Sequence, residues 1–243
     1  MIDRFSNFEK FISERLDVYR KDRLEKLKKL KIQEVLKRKN PYLFRAKNIL
    51  TFQELVESIM SAHLSSQEET MFGNLLEQVA IYVAEKFLGG KKSGIKGIDL
   101  EYEKNGTRHI VAIKSGPNWG NSSQIEKMRQ DFIQAKKSLR TSGAKVTIKA
   151  INGCCYGRDT SDKGDYIKLC GQAFWQELTS KPEFYKKLII PFGQDAKQET
   201  ETFHIEKSKI INRFTSEISH QFSHPDGAID WDRLLQYVSG HDS

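Results

Sequence analysis

The dipeptide Asn105-Gly106 most constrains the fold of this chain, because it lies between two stretches in which apolar and polar residues alternate. The alternation, over residues 98–103 and 107–115, has the period of a β-strand with one buried face. A type I′ turn needs positive φ at both central residues, and Asn-Gly is well suited to that requirement. The stretch therefore predicts a β-hairpin with a two-residue turn.

Counting outwards from the turn predicts how the two strands pair. Lys104 should lie opposite Thr107, and Asp99 opposite Ala112. Opposed residues share a face of the sheet, and so do residues two apart on one strand. The residues predicted for a core face are Ile98, Leu100, Tyr102, Val111 and Ile113. The residues predicted for the other face are Asp99, Glu101, Ala112 and Lys114. Two carboxylates and a lysine thus converge where a core does not require them.

This combination of side chains is typical of a metal-dependent phosphodiesterase. Carboxylate oxygens hold Mg²⁺, a hard ion that keeps several waters and takes few protein ligands. The ion polarises the phosphate and acidifies a bound water. A lysine can stabilise the charge of the transition state or orient the attacking water. The alternative is an exposed strand face with ordinary charges, which the charges alone do not exclude.

Four runs of sequence resemble the PmeII-like type II restriction endonucleases. They are NPYLFRAKN from Asn40, HLSSQEE from His63, VAIKSGPNWGNSSQ from Val111 and INGCCYGR from Ile151. The resemblance is strong over residues 40–175 and looser at the ends. It implies an α/β fold with a PD-(D/E)xK restriction-endonuclease-like core, a mixed central sheet flanked by helices, and helical N- and C-terminal extensions.

The resemblance also implies roles for individual residues. Asp99, with Ile113-Lys114 after the turn, looks like the PD-(D/E)xK signature, and Glu77 on the preceding helix is similar to an extra acid of such nucleases. Mg²⁺ would then be held by Asp99, Glu77 and the Ile113 carbonyl, with Lys114 acting in catalysis. The second acid of the signature would stand where this chain has Ala112. Which residue replaces it is left open, with Glu101 as a reserve carboxylate.

The loop after Lys114 and the helix that follows it supply most of the candidate DNA contacts. Asparagine can pair with adenine or phosphate, and tryptophan can pack on a sugar or anchor the loop in the core. Helix N-termini bind phosphate readily. Arg158 lies in a later polar loop, where a surface salt bridge would explain it equally well. The predicted DNA-binding residues are Asn118, Trp119, Asn121, Ser122, Ser123, Gln124 and Arg158.

The net charge of +8 is concentrated in one segment of the 243 residues. Residues 20–39 hold ten Lys and Arg against three acids, which is +7. A polyanionic partner is one reading of this basic segment, and a solvated helix face is the more common one. The three cysteines, Cys154, Cys155 and Cys170, lack a CxxC spacing and predict reduced thiols in or near the core rather than a zinc site.

Periodicity and capping signals predict the remaining elements. The predicted elements are one or two helices over 3–38, helices over 51–62 and 66–87, a helix over 123–140, a strand over 145–151, helices over 171–180 and 203–222, and a last helix capped by Asp230. We expect a single nuclease domain over 1–243. Within it we expect a basic N-terminal extension at 1–40, a catalytic core at 66–175 and a helical C-terminal part at 181–243.

The chain shows no apolar run of membrane length and does not open on a signal peptide, so we expect a cytoplasmic protein. The resemblance implies Mg²⁺-dependent hydrolysis of double-stranded DNA at a short sequence, leaving a 5′-phosphate. A homodimer would cut both strands of a symmetric site. Two alternatives remain: a non-catalytic nucleic-acid-binding protein on a nuclease scaffold, favoured by Ala112, and a nuclease of DNA repair or branched DNA.

Overall fold

The computed structural model describes residues 2–141, 146–193 and 196–240, with the side chains of 2–6 and 196–200 left out. The chain divides into two compact units. The first comprises Met1–Asp17 and Met71–Gln194, and the second comprises Val18–Thr70 and Asp195–Ser243. These units do not follow the ranges predicted from the sequence, since 1–40 contributes to both, and the predicted domain ranges stay a prediction.

Six strands form one mixed sheet in the first unit. They are β1 (Lys91–Lys92), β2 (Leu100–Lys104), β3 (Thr107–Lys114), β4 (Thr147–Cys154), β5 (Ser161–Asp162) and β6 (Ile167–Cys170). Their order across the sheet is β1-β2-β3-β4-β6-β5. Strands β3, β4 and β6 run parallel to one another, whereas β1 with β2, β2 with β3, and β5 with β6 pair antiparallel. The hairpin β2–β3 therefore joins the antiparallel half of the sheet to its parallel half.

Helices make up most of the remaining described chain. They are α1 (Ile2–Lys28), α2 (Ile32–Leu36), α3 (Pro41–Ala46), α4 (Phe52–Leu88), α5 (Ser122–Thr141), α6 (Gln172–Thr179), α7 (Phe184–Lys187), α8 (Ile189–Gly193), α9 (Ala196–Phe222) and α10 (Trp231–Ser239). A mixed sheet with flanking helices, and helical N- and C-terminal parts, confirms the predicted α/β fold class. Among the described residues, no helix is both long enough and apolar enough to cross a membrane.

The predicted hairpin is confirmed in its turn and in its register. Asn105 and Gly106 have φ of 51° and 69°, as a type I′ turn requires. Lys104 pairs with Thr107, and Leu100 pairs with Val111. Local turn chemistry thus sets which residues of β2 and β3 stand side by side.

The prediction of a single core face on this hairpin is wrong, because β3 is buried on both faces. Ile98 belongs to an apolar cluster with Ile110 and Ala112, not to the face of Leu100 and Val111. The cluster, called here the α5 cluster, consists of Ile98, Ile110, Ala112, Met128, Phe132, Ala135, Leu139, Ile148, Ala150 and Tyr166. Strand β3 lies in the middle of the sheet with a parallel neighbour, and helices cover both faces of such strands.

The prediction of two helices over 51–62 and 66–87 is wrong, because the single helix α4 is continuous through Ser66. The capping box stands at Thr51 and Glu54. The Thr51 Oγ1 accepts from the Glu54 N–H at 3.2 Å, and the Glu54 carboxylate accepts from the Thr51 N–H at 3.2 Å. No glycine or proline occurs between residues 52 and 72 to end the helix before Ser66.

Other predicted elements match in part. Strand β4 continues to Cys154, beyond the predicted end at 151, and the predicted start at Lys145 lies outside the described residues. Strands β1, β5 and β6 were not predicted, since two to four residues are too short for a recognisable period. All three cysteines are free and buried, as predicted.

The second unit has a helical core of its own. Its most buried side chains include Leu27, Ile59 and Phe214, which come from α1, α4 and α9. Helix α10 begins at the predicted cap, where the Asp230 carboxylate accepts from the Arg233 N–H at 2.9 Å. The basic segment packs its apolar side chains in or against this core and leaves all of its lysines except Lys39 exposed. Its predicted contact with DNA stays a prediction.

Candidate active site

Three hydrogen bonds hold Asp99, two through its backbone and one from its side chain to the end of β3. Its N–H donates to the Val111 carbonyl at 2.9 Å, and its carbonyl accepts from the Ser93 N–H at 3.0 Å. The carboxylate Oδ2 accepts from the Ile113 N–H at 2.6 Å. Burial raises the pKa of Asp99, while the Ile113 hydrogen bond and the charges of Lys114 and Lys92 act against that rise. The side chain is therefore fixed, half-buried and directed to the last residues of β3.

Glu77 reaches this place from α4. Burial raises the pKa of Glu77, and the charge of Asp99 raises it further, so the two carboxylates interact. Gly73 lies one turn earlier on the same helix face, and a Cβ built there would stand 3.6 Å from the Cβ of Ser115. Helix α4 thus passes close to the end of β3 with Glu77 on the side of the strand. Glu77 is half-buried at this position.

Lys114 is the last residue of β3. Its charge opposes the raised pKa of both Asp99 and Glu77, so one cation acts on both acids. Its ammonium Nζ lies 5.0 Å from the centre of the Trp119 ring. The structure therefore brings together the two acids and the lysine that the sequence predicted to be catalytic.

Lys92 on β1 is a second cation that acts on the same two carboxylates, and sequence reasoning did not single it out. Strand β1 places it beside β2, where it pairs with Leu100. A strand of two residues gives no periodic signal, so nothing in the sequence indicated that Lys92 lies near Asp99.

The position of the missing second acid is tightly filled. Ala112 is 1% exposed and belongs to the α5 cluster with Met128 and Phe132. Glu101 does not extend to replace the acid, because its carboxylate accepts from the Ser93 Oγ at 2.6 Å and forms an ion pair with Arg108. Burial opposes the ionisation of Glu101, but these partners together hold its pKa below the usual range. The reserve role predicted for Glu101 finds no support in this geometry.

The oxygen atoms at this site suit a hard divalent ion. Two carboxylates come from Asp99 and Glu77. The N–H of Ile113 points to Asp99, and in a β-strand the carbonyl of a residue points to the same edge as its N–H, which directs the Ile113 carbonyl there too. Across 2–141, 146–193 and 196–240, no group of three or more His, Cys, Asp or Glu side chains is arranged as a metal site. A metal ion would thus take two side chains and one backbone oxygen.

All of the predicted DNA-binding residues except Trp119 are exposed, and two of them hydrogen-bond to each other. Asn118, Ser122, Ser123 and Arg158 are exposed. Asn121 and Gln124 form a capping box at the start of α5. The Gln124 N–H donates to the Asn121 Oδ1 at 3.0 Å, and the Asn121 N–H donates to the Gln124 Oε1 at 2.9 Å. This pair places the start of α5 at Ser122, one residue before the predicted start at 123, because Asn121 is the residue that precedes the first helical turn.

Trp119 is turned into the protein. Its indole N–H donates to the Oδ1 of Asn152 on β4 at 3.2 Å, and its ring packs against the α5 cluster. The sequence left two roles open for Trp119, and this contact makes it an anchor of the loop. Its predicted contact with DNA stays a prediction.

Lys168 on β6 joins the loop that carries Asn118 to the loop that carries Arg158. Its ammonium donates to the Pro117 carbonyl at 3.0 Å and to the Asp159 carboxylate at 2.6 Å. Sequence reasoning missed Lys168 because the contact depends on the pairing of β4 with β6, which no local pattern shows. The two loops are therefore held as one surface beside the carboxylates.

A family model for the type II restriction endonuclease EcoO109I matches residues 6–200. No curated protein shows significant similarity to the chain. The match includes the whole sheet, helices α4 and α5, and every site residue described above. It confirms the type II restriction endonuclease that the resemblance implied, while the PmeII-like group stays a prediction. The chain therefore belongs to the family of the type II restriction endonuclease EcoO109I.

Proposed function

We propose that the chain is a Mg²⁺-dependent endonuclease that hydrolyses phosphodiester bonds of double-stranded DNA at a short specific sequence and leaves a 5′-phosphate. The observation that carries this proposal is the meeting of Asp99, Glu77 and Lys114 at the end of β3, where both carboxylates have a raised pKa. Family membership supports a DNA substrate and a site-specific cut. We assign these residues to a site of the PD-(D/E)xK type.

The donor set fits a magnesium ion. Asp99, Glu77 and the Ile113 carbonyl would hold it, and three protein oxygens suffice because Mg²⁺ keeps several of its waters. When bound, the ion supplies polarisation of the phosphate and a water of lowered pKa. Burial raises the pKa of both carboxylates, and the charge of Asp99 raises that of Glu77 further, so a nearby divalent charge would stabilise their ionised forms, which supports this assignment.

Residues of the chain would orient the metal-binding carboxylate and stabilise the charge that develops during cleavage. The Ile113 N–H fixes one oxygen of Asp99 and so fixes the direction of the carboxylate. The Lys114 ammonium donates hydrogen bonds to the negative charge that grows on the phosphate oxygens, or to the attacking water. Glu77 supplies from α4 the acid that Ala112 does not supply from β3. This substitution of one acid for another explains how a site with Ala112 can still be complete.

DNA would lie across the surface formed by the two loops that Lys168 joins. Asn118 and Arg158 are exposed there for contacts with bases or phosphates. Ser122 and Ser123 stand at the N-terminus of the 20-residue helix α5, where backbone N–H groups favour a phosphate. A homodimer with one active site per strand would cut both strands of a symmetric sequence.

The proposal is tested by incubating purified protein with phage DNA and Mg²⁺, with EDTA and the Lys114→Ala variant as controls. Discrete bands that depend on Mg²⁺ and carry 5′-phosphate ends are the expected result. A smear would indicate a nuclease without sequence specificity, and preference for branched substrates would indicate a repair nuclease. Tight, sequence-selective binding without cleavage would favour the non-catalytic alternative, for which the buried Ala112 is the specific observation.

A further inference from the structure

We propose that Trp119 and Asn152 are positioning residues that hold Lys114 in place for cleavage. The inference rests on the proposed function, since it concerns how the catalytic lysine is held. It gives Trp119 a role inside the protein instead of the DNA contact that the sequence predicted. Three contacts carry it, and they run from β4 through the loop after β3 to the lysine ammonium.

The first contact is between the lysine and the indole ring. Lys114 Nζ lies 5.0 Å from the centre of the Trp119 ring, a distance at which the face of an indole attracts an ammonium. A lysine side chain is a flexible four-carbon stem with a point charge at its end. The ring limits where that charge can go, so less freedom is lost when the phosphate arrives.

The second contact holds the ring itself. The indole N–H, the only hydrogen-bonding group of the tryptophan side chain, donates to the Asn152 Oδ1 at 3.2 Å. The ring also packs against the α5 cluster, which contains Ala112. Because this N–H is used inside the protein, it is not offered to a base edge or a phosphate.

The third contact explains a buried amide in an otherwise apolar part of the sheet. Asn152 is 1% exposed and stands beside Ala112 in the parallel pairing of β3 with β4. Its Nδ2 donates to the Ala112 carbonyl at 3.3 Å. An indole N–H only donates and a carbonyl only accepts, so the two partners settle which way the amide points. A buried polar side chain is retained where both of its ends are satisfied.

These contacts connect the lysine to the centre of the sheet. Strand β4 fixes Asn152, Asn152 fixes the Trp119 ring, and the ring limits the path of Lys114. A surface tryptophan selected for DNA contact would not need a buried amide two strands away from Asp99. The arrangement instead meets the need of a catalytic lysine that has to stand in one place.

The test is a double-mutant cycle between Trp119→Leu and Lys114→Ala. Cleavage is measured in single turnover with enzyme in excess, and DNA dissociation constants are measured in EDTA. We expect Trp119→Leu to lower the cleavage rate about tenfold at saturation, which lies between the loss of an exposed and of a desolvated cation–π contact, because both residues are half-buried. The dissociation constant should stay within about twofold. In the Lys114→Ala background, Trp119→Leu should have no further effect, because the lysine that it positions is absent.

Further variants separate positioning from general damage. Trp119→Phe keeps an aromatic face but loses the N–H, so its rate should fall between wild type and Trp119→Leu. Asn152→Leu should repeat the loss through the released indole. Trp231→Leu is the matched control, because Trp231 belongs to the second unit, where Arg45 lies 5.7 Å from the centre of its ring. Thermal melting by circular dichroism verifies that each variant is folded.

Several outcomes would overturn the inference. Weaker DNA binding with an unchanged rate at saturation would make Trp119 a DNA contact, and equal losses in both backgrounds would make it structural. If cleavage by the double variant falls below detection, the single variant Trp119→Leu still tests the inference, because a lower rate at saturation with an unchanged dissociation constant supports positioning. Near wild-type cleavage by Lys114→Ala would refute the proposed function instead, so the two failures are distinguishable.

Discussion

Replacing Ala112 with glutamate restores the acid of the PD-(D/E)xK signature, and the structure indicates that the site has no room for it. Ala112 is 1% exposed within the α5 cluster, beside Met128 and Phe132. The four side-chain heavy atoms that glutamate adds beyond Cβ overpack this place, and overpacking of a core costs about 1–3 kcal/mol. A third carboxylate near Asp99 and Glu77 adds desolvation and repulsion, since both acids already have a raised pKa.

We therefore expect Ala112→Glu to lower the free energy of unfolding by about 3 kcal/mol in EDTA, from overpacking and charge burial together. For a chain of this size, that loss lowers the melting temperature by roughly 6–12 °C. Ala112→Gln is the matched control, because it has nearly the same volume without the charge. It should lose only the overpacking part.

Thermal melting in EDTA and in Mg²⁺, followed by cleavage of the same DNA, measures both effects. Cleavage by Ala112→Glu should fall, because the added side chain displaces Asp99 or the α5 cluster. A glutamate variant that melts at the wild-type temperature and cuts faster would refute this reasoning. It would show that the position is open and that Glu77 is not the acid that completes the site.

Four further predictions follow from the same contacts. Lys114→Ala should lower cleavage by on the order of a hundredfold or more, with DNA affinity nearly unchanged in a gel-shift assay; the matched Lys92→Ala should lose much less, and near-equal losses would contradict the special role of β3. Glu77→Gln should melt at a higher temperature than wild type at pH 8 in EDTA, because a folded pKa raised above the usual 4.5 makes the ionised form destabilising. The protonated Glu77 carboxyl contributes stability that is fully present below the unfolded pKa and is lost as the pH rises through the folded pKa. The difference in melting temperature between Glu77→Gln and wild type should therefore shrink towards pH 4, and a constant difference would exclude titration as its cause. Cleavage should stop in EDTA, return with Mg²⁺ or Mn²⁺ and fail in Ca²⁺; undiminished cutting in excess EDTA would contradict a metal site. The last prediction concerns alanine substitution of four exposed lysines of the basic segment, Lys26, Lys28, Lys29 and Lys31. If the segment contacts phosphates, the slope of log affinity for DNA against log salt concentration should flatten by close to one unit per lost contact, and sequence preference should be kept.

Local chemistry was sufficient to predict the hairpin and the register of its strands. Asn105 and Gly106 both accept positive φ, and the two-residue turn then fixes every pair from Lys104 to Leu100. The meeting of Asp99 with the last residues of β3 follows from that register alone. These interactions join residues that are close in sequence, so one short stretch of sequence contains every residue that determines them.

Helix boundaries were less predictable, because several capping signals compete along one chain. Ser66 has the pattern of a capping box but lies inside α4, while Thr51 and Glu54 form the box that is used. Asn121 and Gln124 cap α5, which therefore begins at Ser122 rather than at the predicted residue 123. A cap pattern states that a helix can begin at a residue, and the surrounding packing decides whether it does.

Contacts between elements distant in sequence were decided by the tertiary structure. Ile98 joins the α5 cluster although parity predicts the other face, because it precedes the first residue of β2 and strand parity does not extend to it. Asn152 meets Trp119 only because β4 pairs in parallel with β3, and Lys168 reaches Pro117 only because β6 pairs with β4. The sequence by itself determined which acids and which lysine share the hairpin. The packing of α4, α5 and β4 around it decided how those side chains are held, since desolvation and hydrogen-bond geometry exist only once the distant parts of the chain have come together.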